Sequence, residues 1–178
     1  MPEERPLRRD AQRNRELLVV AAREIFGTKG LDAPLEEIAR RAGVAIGTLY
    51  NRFPTRVDLV EAAFLPQLDQ VAQTGAQALA FEDPWEGLVF FVESGCARQA
   101  TDQGFAEVCA GRIDAPALEA AKTAIWDTVS ELVARAQDAA RLRQDFKPED
   151  LLQAIAATSS IPEWRRHLSF FLDGIRAK

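Results

Sequence analysis

The stretch Pro34-Leu35-Glu36-Glu37-Ile38-Ala39-Arg40-Arg41-Ala42-Gly43-Val44-Ala45-Ile46-Gly47-Thr48-Leu49-Tyr50-Asn51-Arg52-Phe53-Pro54-Thr55-Arg56-Val57-Asp58-Leu59 decides the fold. Leu35, Ile38 and Ala39 share one face of a short helix that begins near Pro34, where the missing N–H of a proline costs nothing. Asp32 or Ala33 would cap it, and Glu36 and Glu37 suit its dipole. Gly43 ends it and tolerates the positive φ of a tight turn. A second short helix, from about Ile46 to Phe53, stops before Pro54. Ile38, Ala39, Val44 and Leu49 would form the small core of a helix-turn-helix. Ala45, Gly47, Thr48, Tyr50, Asn51 and Arg52 are left on or near the exposed face of its second helix. Such a helix fits a major groove about 12 Å wide, with its N-terminal residues facing the base edges. On spacing alone, an ordinary helical hairpin fits as well.

Outward from this stretch the period stays helical. A first helix runs from about Asp10 to Phe26 through Leu18, Ala22 and Ile25, with Gly27 and Gly30 as stops. A fourth starts near Arg56 and carries Val57, Val60, Phe64, Leu68 and Val71; Pro66 should kink it, or mark a break. Trp85, Leu88, Val89 and Val92 open a helix after Pro84 that stops near Gly104, and residues 105–110 form a short one. Pro116 opens a long helix with Leu118, Ile125, Val129, Leu132 and Ala136. Pro148 opens another through Leu151, Leu152 and Ile155. Pro162 separates it from a last helix bearing Trp164, Leu168, Phe171 and Ile175. The expected fold is all-α, about nine helices: a three-helix head at residues 1–60 and a larger helical bundle at 61–178.

Composition narrows the function classes. The 178 residues are 47% hydrophobic and 28% charged, as in a globular chain. No apolar run approaches the roughly 18 residues of a membrane span, and the N-terminus lacks a signal-peptide core, so the expectation is a soluble cytoplasmic protein with no membrane partner. Two cysteines make neither a disulfide framework nor a four-thiolate zinc site. One histidine and one tyrosine leave little for acid–base catalysis. Glu163 and His167 lie four apart without a second histidine, which reads as a surface ion pair and not a metal site. There is no glycine-rich phosphate loop and no Gly-x-Ser-x-Gly elbow. No enzyme, cofactor or metal is expected. Charge is uneven: residues 1–60 hold 11 basic and 9 acidic side chains, against 11 and 18 in the remainder. Arg5, Arg8, Arg9, Arg13 and Arg15 cluster before the first apolar helix, where they form either a solvated arm or a local phosphate-binding end.

The stretch 35–59, together with Ala22, Ile25, Phe26, Gly30 and Leu31, resembles the DNA-binding signature of TetR-family transcriptional regulators, over about a third of the chain. The run from Trp164 to Arg176 is more weakly similar to the final helix of some members. The resemblance implies a base or phosphate contact at Thr48 and a phosphate contact at Tyr50. It implies phosphate partners at Arg52, where histidine is commoner, and at Arg56, where lysine is frequent. Ala45 and Gly47 would permit close approach, and Asn51 would reach a base or sugar. Ala33-Pro34 departs from the usual Thr or Ser cap.

The resemblance further implies a homodimer, a palindromic operator and a small-molecule effector that releases it by moving the fourth helix. Leu152, Ile155, Trp164, Leu168, Phe171 and Ile175 are the candidate dimer stripe, although one stripe fits an intramolecular core equally well. Phe81, Trp85, Phe90, Phe91, Phe105 and Trp126 are candidate pocket walls, with Cys96, Gln99, Cys109 and Arg112 as polar members. The aromatic content favours an apolar or aromatic effector over a sugar phosphate. The alternative is a helical ligand-binding module of the same architecture without operator-specific binding.

Overall fold

The computed structural model describes the backbone of residues 4–177 and the side chains of residues 10–177. Nine helices follow one another among them: α1 (Glu4–Lys29), α2 (Leu35–Ala42), α3 (Ile46–Arg52), α4 (Arg56–Leu79), α5 (Pro84–Thr101), α6 (Gln103–Cys109), α7 (Pro116–Asp138), α8 (Pro148–Ser159) and α9 (Trp164–Ile175). No strand forms among the described residues, where an isolated antiparallel bridge pairs Leu142 with Arg176.

Local chemistry explains most of the boundaries. Gly30, at φ +78, ends α1, whereas Gly27 does not interrupt it. The helix also starts earlier than the apolar pattern suggested, so the basic cluster lies along α1 and not ahead of it. Arg13 and Arg15 are exposed; the side chains of Arg5, Arg8 and Arg9 lie outside the described residues. Pro34 is the N-cap of α2, not its first helical residue, and gives no side-chain bond to the helix. Asp32 instead faces Arg112 across 3.6 Å. Gly43 adopts φ +71 and lets the Val44 N–H reach back 3.0 Å to the Ala39 carbonyl, which closes α2 and turns the chain into α3. Thr55 and Asp58 build a reciprocal capping box at the start of α4.

Helix α4 runs unbroken through Pro66, whose ring faces solvent. It therefore belongs to both parts of the molecule, because the expected boundary at residue 60 falls inside it. Its buried face packs on α7 and α5, and its first turns meet α1. Phe64 lies at the centre, with ring centroids 6.3 Å from Phe26 and 6.4 Å from Phe105. This three-ring seam makes the core of the head continuous with that of the bundle. Helix α8 lies on α5, and α9 lies on both.

Candidate nucleic-acid interface and effector pocket

Helix α3 is shaped by one anchor. Leu49 is its single buried residue, set among Leu18, Ala22, Ile38 and the C-cap Phe53 in the continuous core. Every other side chain on the helix is exposed or half-exposed. Tyr50, 47% exposed, points outward. Asn51, Arg52, Gly47 and the N-cap Ala45 are also exposed, and Thr48 is half-buried. The structure thus brings the sequence-derived surface together on one short helix.

Positive charge surrounds it. Arg52 has no carboxylate partner among the described residues. Arg15 lies with its guanidinium carbon 5.0 Å from the centroid of Phe53. Arg41, by contrast, is paired with Glu24 at 2.6 Å. An unpaired guanidinium beside a protruding helix is suited to phosphate oxygens.

Arg56 stands apart from this surface. It is half-buried, and its Nη1 donates to the carbonyls of Leu31 (2.6 Å) and Ala33 (2.8 Å). These bonds cross 25 and 23 residues, so no local pattern announces them. The guanidinium fastens the start of α4 to the α1–α2 turn.

The Leu31 peptide is held from its other side as well. Its N–H donates to Glu107 Oε2 at 2.7 Å. Burial pushes the Glu107 carboxyl up, but the Leu31 N–H, the Gln103 amide and the Arg112 charge outweigh burial and leave it below its ordinary value of 4.5. Arg112 lies on the surface between Glu107 and Asp32. It braces head against bundle and, although expected as a pocket member, does not line the α6 cavity.

Glu107 belongs to α6, whose other side faces a cavity of about 140 Å³. Phe91, Gln99, Phe105, Cys109 and Trp126, all expected as pocket members, line it. So do Leu152 and Ile155, expected as dimer residues, and Arg98 and Lys122, which the pattern of apolar residues did not single out. Phe81, Trp85 and Phe90 face a separate surface groove beside Arg141 and Arg176. Cys96 is fully buried, with its sulfur 3.9 Å from the Ile155 carbonyl. Its thiol is pushed up to about 11 by burial and then by Glu93. Cys109 is also pushed up to about 11, by burial against the opposing pull of Lys122 and Arg98. Both thiols are protonated at neutral pH.

Helix α6 can sit between cavity and head because Gly104 brings it close. A Cβ at Gly104 would lie 2.8 Å from the Phe26 carbonyl oxygen and 2.8 Å from the Phe64 ring. Asp102 caps the helix, accepting from the Phe105 N–H at 2.8 Å and from Gln67 Nε2 at 3.0 Å.

The last helix divides the expected dimer stripe. Leu168, Ile175 and Ile155 are 2%, 6% and 3% exposed within their own chain. They have almost no surface to offer a partner, because α9 turns Leu168 and Ile175 onto α5 and α8, and α8 turns Ile155 onto α5. Leu152 and Phe170 are exposed, as is Ile161, while Trp164 and Phe171 are half-buried. Phe170, at 59% the most exposed large apolar side chain among the described residues, lies off the stripe that the periodicity marked.

Two family matches together account for most of the chain. Residues 18–63 match the bacterial regulatory proteins of the tetR family. Residues 83–177 match the C-terminal domain of SbtR-like transcriptional regulators. The chain belongs to the TetR family. A TetR-family regulator of known structure from Mycobacterium vanbaalenii is 34% identical, covering 96% of this chain and 99% of that one, at a TM-score of 0.61. The regulator UidR of Escherichia coli is 28% identical over 94% of this chain and 92% of its own length. The repressor KstR of Mycolicibacterium smegmatis is 35% identical over 86 residues, 47% of this chain and 42% of KstR. Relatives matched over 81 or 86 residues are spanned for only 38–60% of their own length. As a TetR-family member the protein is a DNA-binding transcriptional regulator and not an enzyme. No helix among the described residues is long and apolar enough to cross a membrane.

Proposed function

We propose that this TetR-family protein is a repressor that binds a palindromic operator as a homodimer and leaves it when a small molecule enters the α6 cavity. Residues 1–60 act as the reading head and residues 61–178 as the sensing and pairing body. The observation that carries the reading is the α3 surface, where Thr48, Tyr50, Asn51 and Arg52 surround a single buried anchor. Tyr50 and Arg52 hold phosphates and fix the register. Thr48, Ala45 and Asn51 are the groups able to touch thymine methyls or an adenine edge. KstR, which shares the repressor role in its name, supports the sign of regulation.

Pairing rests on the apolar side chains that α8, α9 and the turn between them leave in solvent, Leu152, Phe170 and Ile161, flanked by Trp164 and Phe171. Two-fold pairing through this face would set two α3 helices about one duplex turn apart. Release follows from the position of α6. A ligand against Phe105 and Cys109 displaces the helix whose Glu107 holds the Leu31 peptide, while Arg56 transmits the motion of α4 to the same turn. The ligand must prefer the displaced state by a few kcal/mol to switch the population.

Selection of bound duplexes from a random pool tests this. The expected product is a two-fold symmetric sequence with half-sites about 10 base pairs apart. Recovery of duplexes with no sequence preference would favour a ligand-binding module that no longer reads an operator.

A further inference from the structure

We propose that the α6 cavity takes a small organic monoanion, an aryl or branched alkyl carboxylate whose charge lies at the end lined by Arg98 and Lys122. This rests on the reading of that cavity as the effector site and adds the chemical class of the effector.

The wall carries two cations and no carboxylate. Arg98 Nη1 donates to the neutral amide oxygen of Gln70 at 2.9 Å, and Arg98 has no carboxylate partner among the described residues. Lys122 Nζ donates to the Val108 carbonyl at 3.3 Å and lies 2.5 Å from Glu119. Glu119 is about half exposed, so its screening is partly lost to water. Asp102 keeps its charge nearby, but it does not line the cavity, and its two oxygens accept from Gln67 and from the Phe105 N–H. The two cations converge on α6: the Arg98 guanidinium is 5.9 Å from the centroid of Phe105, and Lys122 bonds to Val108. Both also act electrostatically on the Cys109 thiol.

The remainder of the wall is neutral and largely apolar, built from Phe91, Trp126, Ile125 and Ile155, with Thr74, Ser94 and Gln99 as its polar members. A volume of about 140 Å³ is the size of a cavity that encloses one benzene ring. One ring or a short branched chain fills it, and a carboxylate reaches the cationic end. A partly dehydrated guanidinium without a counter-charge gains more from a carboxylate than from a neutral amide of the same shape. The anion would compete with Gln70 for Arg98 and with Val108 and Glu119 for Lys122. Its binding thus acts at the base of the helix that holds Leu31.

The test is titration calorimetry on the full chain without DNA. The probes are phenylacetate and cyclohexanecarboxylate, each against its own carboxamide. The expected result is at least about tenfold tighter binding of the acid in each pair, the magnitude of one hydrogen bond to a charged group. Arg98→Gln should lower acid affinity by about tenfold and leave the amide unchanged, and Lys122→Gln should act in the same direction. If Arg98→Gln does not fold, the acid–amide ratio of the native chain and the Lys122→Gln variant still decide. Equal affinity of acid and amide overturns the proposal, as does the absence of binding by either acid up to about 10 mM, where an affinity would correspond to less than about 3 kcal/mol. These outcomes leave the operator reading standing, since that reading fails only if duplex selection finds no preferred sequence.

Discussion

Helices α3 and α6 are each seven residues long, yet they are built for opposite ends. Helix α3 buries one side chain, Leu49, and turns the remainder outward. Helix α6 buries Gly104, Phe105 and Val108, and both its faces are in use, one against the cavity and one against the head. A seven-residue helix has little stability of its own. Each therefore depends on tertiary packing, and the amount of packing sets what each can tolerate. The surface of α3 can change without disturbing the fold, so it is free to specify a duplex. The surface of α6 cannot change without altering how head and bundle meet, and that property suits it to the transmitting role proposed above.

Substitutions separate the two. The largest effect should come from Phe64→Ala, which empties the seam joining α1, α4 and α6. A loss of about 3–5 kcal/mol is expected, seen as a lowered melting temperature. A loss below about 1 kcal/mol would mean that the seam does not hold α6 in place. Next, Arg52→Ala should weaken duplex binding across sequences and reduce the salt slope by about 1, while leaving the melting temperature nearly unchanged. An unaltered salt slope would remove Arg52 from the phosphate contacts.

The smallest effect belongs to Glu107→Gln. The native carboxyl titrates below its ordinary value of 4.5, so between the two values the unfolded chain binds more protons than the folded one. The stabilisation from this group is present above pH 4.5 and is lost as pH falls through the lower, folded value. Denaturant titrations across the acid range should show that slope in the native chain and a shallower one in Glu107→Gln. Identical slopes would detach Glu107 from the acid response.

The unequal legibility of the two helices in the sequence has the same physical origin. For α3 the decisive information is local. Gly43 ends one helix, Leu49 anchors the next, and Thr48, Tyr50, Asn51 and Arg52 follow outward by periodicity alone. For α6 the information is distant. Glu107 meets a peptide 76 residues away, and Arg56 reaches back across the turn. Amphipathic periodicity reports that Leu168 and Ile175 face something apolar, but it does not name the neighbour; here the neighbours are α5 and α8 of the same chain. Phe81 and Trp85 lay in the same aromatic run as Phe91, yet the direction of α5 sends them to a different groove. Arg98 and Lys122 carried no signal in a search for aromatic walls, because a cation matters to a cavity only once the cavity is assembled.

The two clamps on Leu31 act on its main chain: one holds the N–H, the other the carbonyl. Neither depends on which side chain residue 31 carries. A foreign head of the same trace, grafted ahead of this body, would meet the Glu107 clamp through its own main chain and would need to supply only the arginine at position 56. In the proposed function, operator choice and effector choice thus become separable parts of one molecule, open to exchange between sister regulators.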